Sequence, residues 1–141
     1  MSIRRIRRPL LVAALHPLVT IPGYWVATAG ALAWSALLGA RTRRAGRLVV
    51  AEGLPGWAFG RGGTTIGRVF LTSTRPSESV LEHEAVHERQ WRRFGIAMIP
   101  LYLAAGLDPT RNRFEIEADL VKGGYASAPP VTTSTGGAAA T

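Results

Sequence analysis

The chain has 141 residues, enough for one domain at most, and contains no cysteine. That excludes disulfides, thiolate zinc sites, Cys-ligated iron–sulfur clusters and a cysteine nucleophile. The net charge of +8 comes from 17 Lys and Arg, of which Lys122 is the one lysine, against 9 Asp and Glu, an arginine bias of the kind GC-rich bacterial genomes impose.

The first arginines, Arg4, Arg5, Arg7 and Arg8, and the next, Arg41, Arg43, Arg44 and Arg47, bracket a stretch over 9–40 that holds no Asp, Glu, Lys or Arg. Such a stretch is long enough to enter or cross a bilayer of roughly 30 Å. Flanking arginines point to anionic lipid headgroups as partners in preference to nucleic acid. Pro17, Pro22 and Gly23 are expected to break the segment into a short apolar piece and a second piece over 24–40. A single span over 18–40 and a hairpin both remain open; the equal basicity of the flanks favours the hairpin with both flanks cytoplasmic. A secretory signal with a small-residue site at Ala31-Leu32-Ala33 is a third reading, spoiled by His16, Pro17 and Pro22. The expected location is therefore a membrane, the bacterial inner membrane, with the cytoplasmic face favoured for the domain.

Residues 48–51 and 66–72 read as short strands, separated by a turn-rich loop carrying Trp57 and Phe59. The aromatics suit core plugs or membrane-interface anchors. Glycines around Gly62 and Gly67 lack the Lys-Ser/Thr ending of a phosphate-binding loop. A helix is expected from Ser79, where Ser79 and Glu82 have capping-box spacing, to Gly95. Residues 96–107 read as a buried apolar helix containing Pro100, too short to cross a membrane alone. Asp108-Pro109 and Gly123-Gly124 frame a further helix over 109–122. The Pro-, Thr-, Ser-, Gly- and Ala-rich tail over 126–141 is expected to be disordered.

Within the first of these helices stands His83-Glu84-Ala85-Val86-His87, the pattern H-E-x-x-H. On a helix, His83 and His87 leave the same face about 40° apart and can share one metal ion, with Glu84 beside that ion. Advancing about 100° per residue places Phe94, Val80 and Trp91 on the same stripe. The opposite side carries Glu82, Glu88, Arg89, Arg92 and Arg93, with Glu88 and Arg92 at the favourable i, i+4 spacing. Two histidines and a carboxylate on an apolar face need something to offset their desolvation, and a divalent metal does so. On the later helix Glu115 and Asp119 are also i and i+4, again among apolar neighbours, where they repel unless a cation is near.

H-E-x-x-H followed by Glu115-Ile116-Glu117-Ala118-Asp119 resembles the gluzincin metallopeptidases, and the local text is most similar to the membrane branch that contains CAAX endoproteases and stress-related metallopeptidases. The resemblance implies that His83, His87 and Glu115 bind Zn2+, that Glu84 is the general base, and that Asp119 accepts a hydrogen bond from a ligating histidine. It also implies hydrolysis of a peptide or protein substrate by zinc-activated water, a substrate strand paired to an edge strand over 66–72, and a tyrosine, Tyr125 or Tyr102, stabilising the oxyanion. The gap between His87 and Glu115 is too short for the substrate-binding insertions of full-sized enzymes. The expected architecture is thus α+β and mainly helical: a basic-flanked apolar membrane segment over 1–47, a minimal zincin-like domain over 48–125 with a two- or three-stranded sheet, and the tail. A membrane-anchored metal-binding or interaction module without catalysis is the alternative, and a metal-free site satisfied by Arg111 or Arg113 the third.

Overall fold

The computed structural model describes Ala13 and residues 15–128; the cluster Arg4 to Arg8 and the tail beyond 128 lie outside the described residues. The fold is α+β, with helix α1 at Pro17–Leu37, strands β1 at Arg41–Ala45, β2 at Leu48–Glu52, β3 at Thr64–Ile66 and β4 at Val69–Leu71, then helices α2 at Glu78–Phe94, α3 at Met98–Ala104 and α4 at Arg113–Ala118.

The sheet has four strands in the order β1-β2-β4-β3. Two hairpins make it, and each turns on a Gly-Arg pair. Gly46-Arg47 joins β1 to β2, with Ala45 opposite Leu48, and Gly67-Arg68 joins β3 to β4, with Ile66 opposite Val69. The first residue of each turn has positive φ, 58° and 59°, a conformation that glycine adopts freely. The hairpins meet in parallel through β2 and β4, and the Arg68 Nε donates to the Arg47 carbonyl across the join.

Three expectations are corrected here. The stretch 66–72 belongs to two strands because Gly67 reverses the chain inside it; β4 is interior, and β3 lies at an edge. The basic run 41–47, assigned to a segment apart from the domain beginning at 48, is largely strand β1 of that domain's sheet, which makes the sheet four-stranded. Pro22 does not break the apolar segment within the described residues: α1 runs on through it as one helix, started by Pro17 at its first turn and capped by His16. The proline removes a single N–H near the N-terminus, where the Leu18 carbonyl it would have served is on an exposed residue. No helix among the described residues is long and apolar enough to cross a membrane, against the expected span over 18–40.

Alternation along β2 and β4 sends side chains to two covered faces. Ala51, Val69 and Leu71 pack with Ala31 of α1 on one face, while Leu48, Val50 and Phe70 pack with Val80, Leu81 and Ala85 of α2 on the other. Beyond β3 the two helices meet directly, where Tyr24 of α1 joins Trp91, Met98 and Phe114 in a third cluster. Gly67 sets the spacing on the α1 side, since a Cβ there would stand 2.4 Å from Thr28 Oγ1 and 2.7 Å from its nitrogen.

Helix α2 is capped by Ser77, whose hydroxyl accepts from the Val80 N–H at 3.4 Å, not by the Ser79 and Glu82 box. Arg92 and Arg93 suit its last turn, and Gly95 ends it as expected. Glu88 is another correction, because it is buried and its Oε1 accepts from the Tyr24 hydroxyl at 2.7 Å. The predicted buried helix over 96–107 is a 3-10 turn followed by the short α3, with Met98 buried but Ile96, Ile99, Leu103 and Leu107 exposed. The helix expected over 109–122 is only the six residues of α4, capped by Asn112 in place of Asp108.

The Tyr24–Glu88 bond ties α1 to α2 with both partners buried. Tyr24→Phe is expected to leave Glu88 without that donor and to lower stability by about 1–3 kcal/mol, measured by urea unfolding of the full chain.

Candidate metal centre

Three side chains from two helices converge beneath the end of β3. His83 Nε2 and His87 Nε2 are 3.1 Å apart, and Glu115 Oε2 lies 3.1 Å from the first and 3.3 Å from the second. All three residues are buried, and together they form a group able to hold a metal ion. Zinc with donors at about 2.0–2.1 Å in tetrahedral geometry holds neighbouring donors about 3.3 Å apart. The triangle has that size.

The tautomers decide what the triangle is. His83 Nδ1 lies 2.9 Å from the main-chain carbonyl of Asp119, an acceptor only, so His83 carries its proton on Nδ1. His87 Nδ1 lies 2.8 Å from Gln90 Oε1. The amide cannot be reversed without loss, because Gln90 Nε2 donates to the Phe114 carbonyl and to Glu117 Oε2, each at 3.1 Å. Neutral imidazoles so held present bare Nε2 lone pairs to each other and to a carboxylate oxygen. Three lone pairs at this separation repel unless a cation lies among them.

The titration tendencies agree. Burial opposes charge on Glu115, but the two histidines and the Tyr102 hydroxyl outweigh it and hold its pKa well below the usual carboxylate range. Burial would depress His83, yet Glu115 and the Asp119 carbonyl raise it overall. Both directions favour a positive charge on His83 beside an ionised Glu115.

Around the triangle each part is held from elsewhere. Tyr102 of α3 donates its hydroxyl to Glu115 Oε1, so this tyrosine positions the carboxylate. Asn112, almost fully buried, caps α4 through the Phe114 N–H at 3.0 Å and donates to the Tyr102 and Gly106 carbonyls at 3.2 and 2.7 Å. It thereby fixes α3 against α4. Gly123 lies over His83, where a Cβ would stand 2.5 Å from the imidazole Cε1. Asp119 does orient His83, but through its carbonyl and not its carboxylate. Its φ of 78° ends α4, and its side chain turns to the N–H groups of Val121 and Lys122.

Glu84 sits beside the triangle with Oε2 accepting from the Thr65 hydroxyl of β3 at 2.7 Å. Burial pushes its carboxyl up, while His87, Thr65 and His83 pull it down; the upward push prevails. Thr65 is held in turn, its carbonyl accepting from Trp91 Nε1 at 2.8 Å. Glu84, His87 and Glu115 line a cleft of about 510 Å³, with β3 as one wall and Met98, Ile99, Leu103 and Leu107 as another. Tyr125 reaches the same cleft, its ring centre 6.0 Å from that of His83. Arg111 and Arg113 form no ion pair with Glu115 or Glu84: Arg111 pairs with Asp108 and Arg113 stacks on Phe114.

The sequence reading missed Gln90, Thr65, Asn112 and the Tyr102–Glu115 bond. Gln90 alone had a visible signal, being about 20° from His83 on the helix and three residues after His87. No protein-family model matches the chain, and no curated protein or solved structure matches it.

Replacing Gln90 by Leu removes the acceptor that fixes the His87 tautomer. Zinc affinity, measured by competition with a chromophoric chelator, is expected to fall about 10–100-fold, with Arg89→Gln on the exposed face as an unaffected control.

Proposed function

We propose that the chain is a zinc-dependent peptidase with a minimal gluzincin-like core. The observation that carries this reading is the set of three converging donor atoms with a fourth side open toward a cleft that Glu84 also lines. His83, His87 and Glu115 would hold the ion. A zinc ion there supplies Lewis acidity, polarising a carbonyl and acidifying water.

The chain's own groups account for the remaining roles. Strand β3 is a free edge, and an extended peptide can pair with its main chain at Thr64–Ile66 while its side chains meet the apolar wall of α3. Thr65 fixes one oxygen of Glu84, leaving Oε1 to take a proton from water and return it to the departing amine. Tyr102 is engaged with Glu115, so the oxyanion role falls to Tyr125, which lines the cleft.

Elemental analysis of wild-type protein, Glu115→Gln and Glu84→Gln, joined to hydrolysis of a fluorogenic peptide library, tests the reading. Wild type is expected to hold about one zinc per chain, Glu115→Gln to bind it more weakly, and Glu84→Gln to keep the metal while losing about 10²-fold or more in hydrolysis. Wild-type protein that takes up no zinc after reconstitution would overturn the metal assignment. Zinc held without any hydrolysis would leave a metal-binding module.

A further inference from the structure

Helix α1 is built inside out for a helix on a water-exposed body. Its buried residues are Thr20, Tyr24, Thr28, Ala31 and Ser35, four of them hydroxyl-bearing. Its outward face carries Leu18, Ile21, Trp25, Val26 and Leu37, with Leu18 79% and Leu37 81% exposed. A surface helix in water does the reverse, burying its apolar stripe. Three of the four inward hydroxyls donate within the protein, Thr28 and Ser35 to the carbonyls four residues back at 2.8 and 2.7 Å, and Tyr24 to Glu88. The outward apolar face therefore needs an apolar surround.

That face does not stop at α1. A shallow apolar groove of about 300 Å³ joins Trp34 and Gly30 of α1 to Ile96 and to Ile99 of α3, and Ile99 and Leu103 also line the cleft of the metal centre. One apolar surface thus runs from α1 to the cleft mouth.

Charge identifies what covers it. Before Glu52 the chain contains no acidic residue, and its only ionised side chains are arginines. Among the described ones, Arg41 and Arg44 are exposed just past the C-terminal end of α1 and Arg47 is exposed in the β1–β2 turn, while Arg43 pairs with Glu52 at 2.6 Å. At the same end Trp34 and Trp57 pack edge to face, with Trp57 exposed. Arginine and tryptophan beside an apolar face match an anionic headgroup layer over acyl chains. A second copy of this chain would bring arginine to arginine.

We propose that the outward face of α1, with Ile96, Ile99 and Leu103, docks on an anionic lipid bilayer. The helix lies in the membrane plane, because its other face is held against the sheet and α2 and is closed to lipid. The cleft mouth then opens at the membrane surface. This inference does not rest on the metal reading.

The test is sedimentation of the full chain with vesicles of phosphatidylcholine alone and with roughly one-third phosphatidylglycerol. Binding is expected on the anionic vesicles, weakening as salt rises, with tryptophan fluorescence quenched by brominated acyl chains. Trp25→Glu with Val26→Glu should abolish it. Arg41→Gln, Arg44→Gln and Arg47→Gln, on an exposed strand and turn, should weaken it about fivefold per charge. Unchanged circular dichroism and unfolding midpoints show that the variants remain folded. No binding to anionic vesicles, or equal binding by the glutamate variant, overturns the proposal. So does a stable dimer in analytical ultracentrifugation that the glutamate variant dissociates.

Discussion

The site depends on the placement of two protons. His83 and His87 each give the Nδ1 proton to an oxygen that can only accept, and each is left with a bare Nε2 facing the other and Glu115. Among the described residues no Lys or Arg pairs with Glu115 to relieve that repulsion. What surrounds the triangle keeps it in place: Tyr102 holds the carboxylate, Asn112 holds Tyr102 and α4, and Gln90 ties α2 to both Phe114 and Glu117. A polar network of this kind, buried and satisfied outside its centre, is rigid where three donors meet.

Rigidity at that point is bought by contacts that reach across the whole body. Glu84 is fixed by Thr65, Thr65 by Trp91, and Trp91 packs with Tyr24, which bonds Glu88 one turn along the helix from Glu84. Strand β3 and helix α1 therefore act on α2 from two sides. The Gly67-Arg68 turn carries this further, since the Arg68 N–H donates to Thr28 Oγ1 of α1 at 3.0 Å. Helix α1 is part of the same packed unit as the donors.

Helical spacing made the H-E-x-x-H face legible, because two residues four apart on a helix must share a side, and Gly95 marked the end of α2, whereas Glu115 was singled out by the family resemblance. Reading failed where a tertiary partner outweighed the local pattern. Glu88 falls about 140° round from His83, which looks solvent-facing until Tyr24 supplies a buried donor. The two Gly-Arg turns were in plain text, but both lay in stretches too apolar or too basic to be divided by pattern alone. Asp119 was placed near His83 by assuming one more helical turn; its positive φ ends the helix first and presents the carbonyl instead.

The apolar segment shows the same difficulty from the other side. Hydropathy cannot tell a helix surrounded by lipid from one that is half covered by protein, since both read as uncharged runs. The distinction lies in which residues turn inward. In α1 the hydroxyls recur at i, i+4, i+8 and i+15 from Thr20, with Ala31 closing the stripe, and they face Glu88, Gly67 and the sheet. A polar stripe packed inward, beside apolar residues left outward, gives an uncharged helix a protein side and a lipid side. On that view the apolar run belongs to both the core and the surface, so its hydropathy reports neither alone.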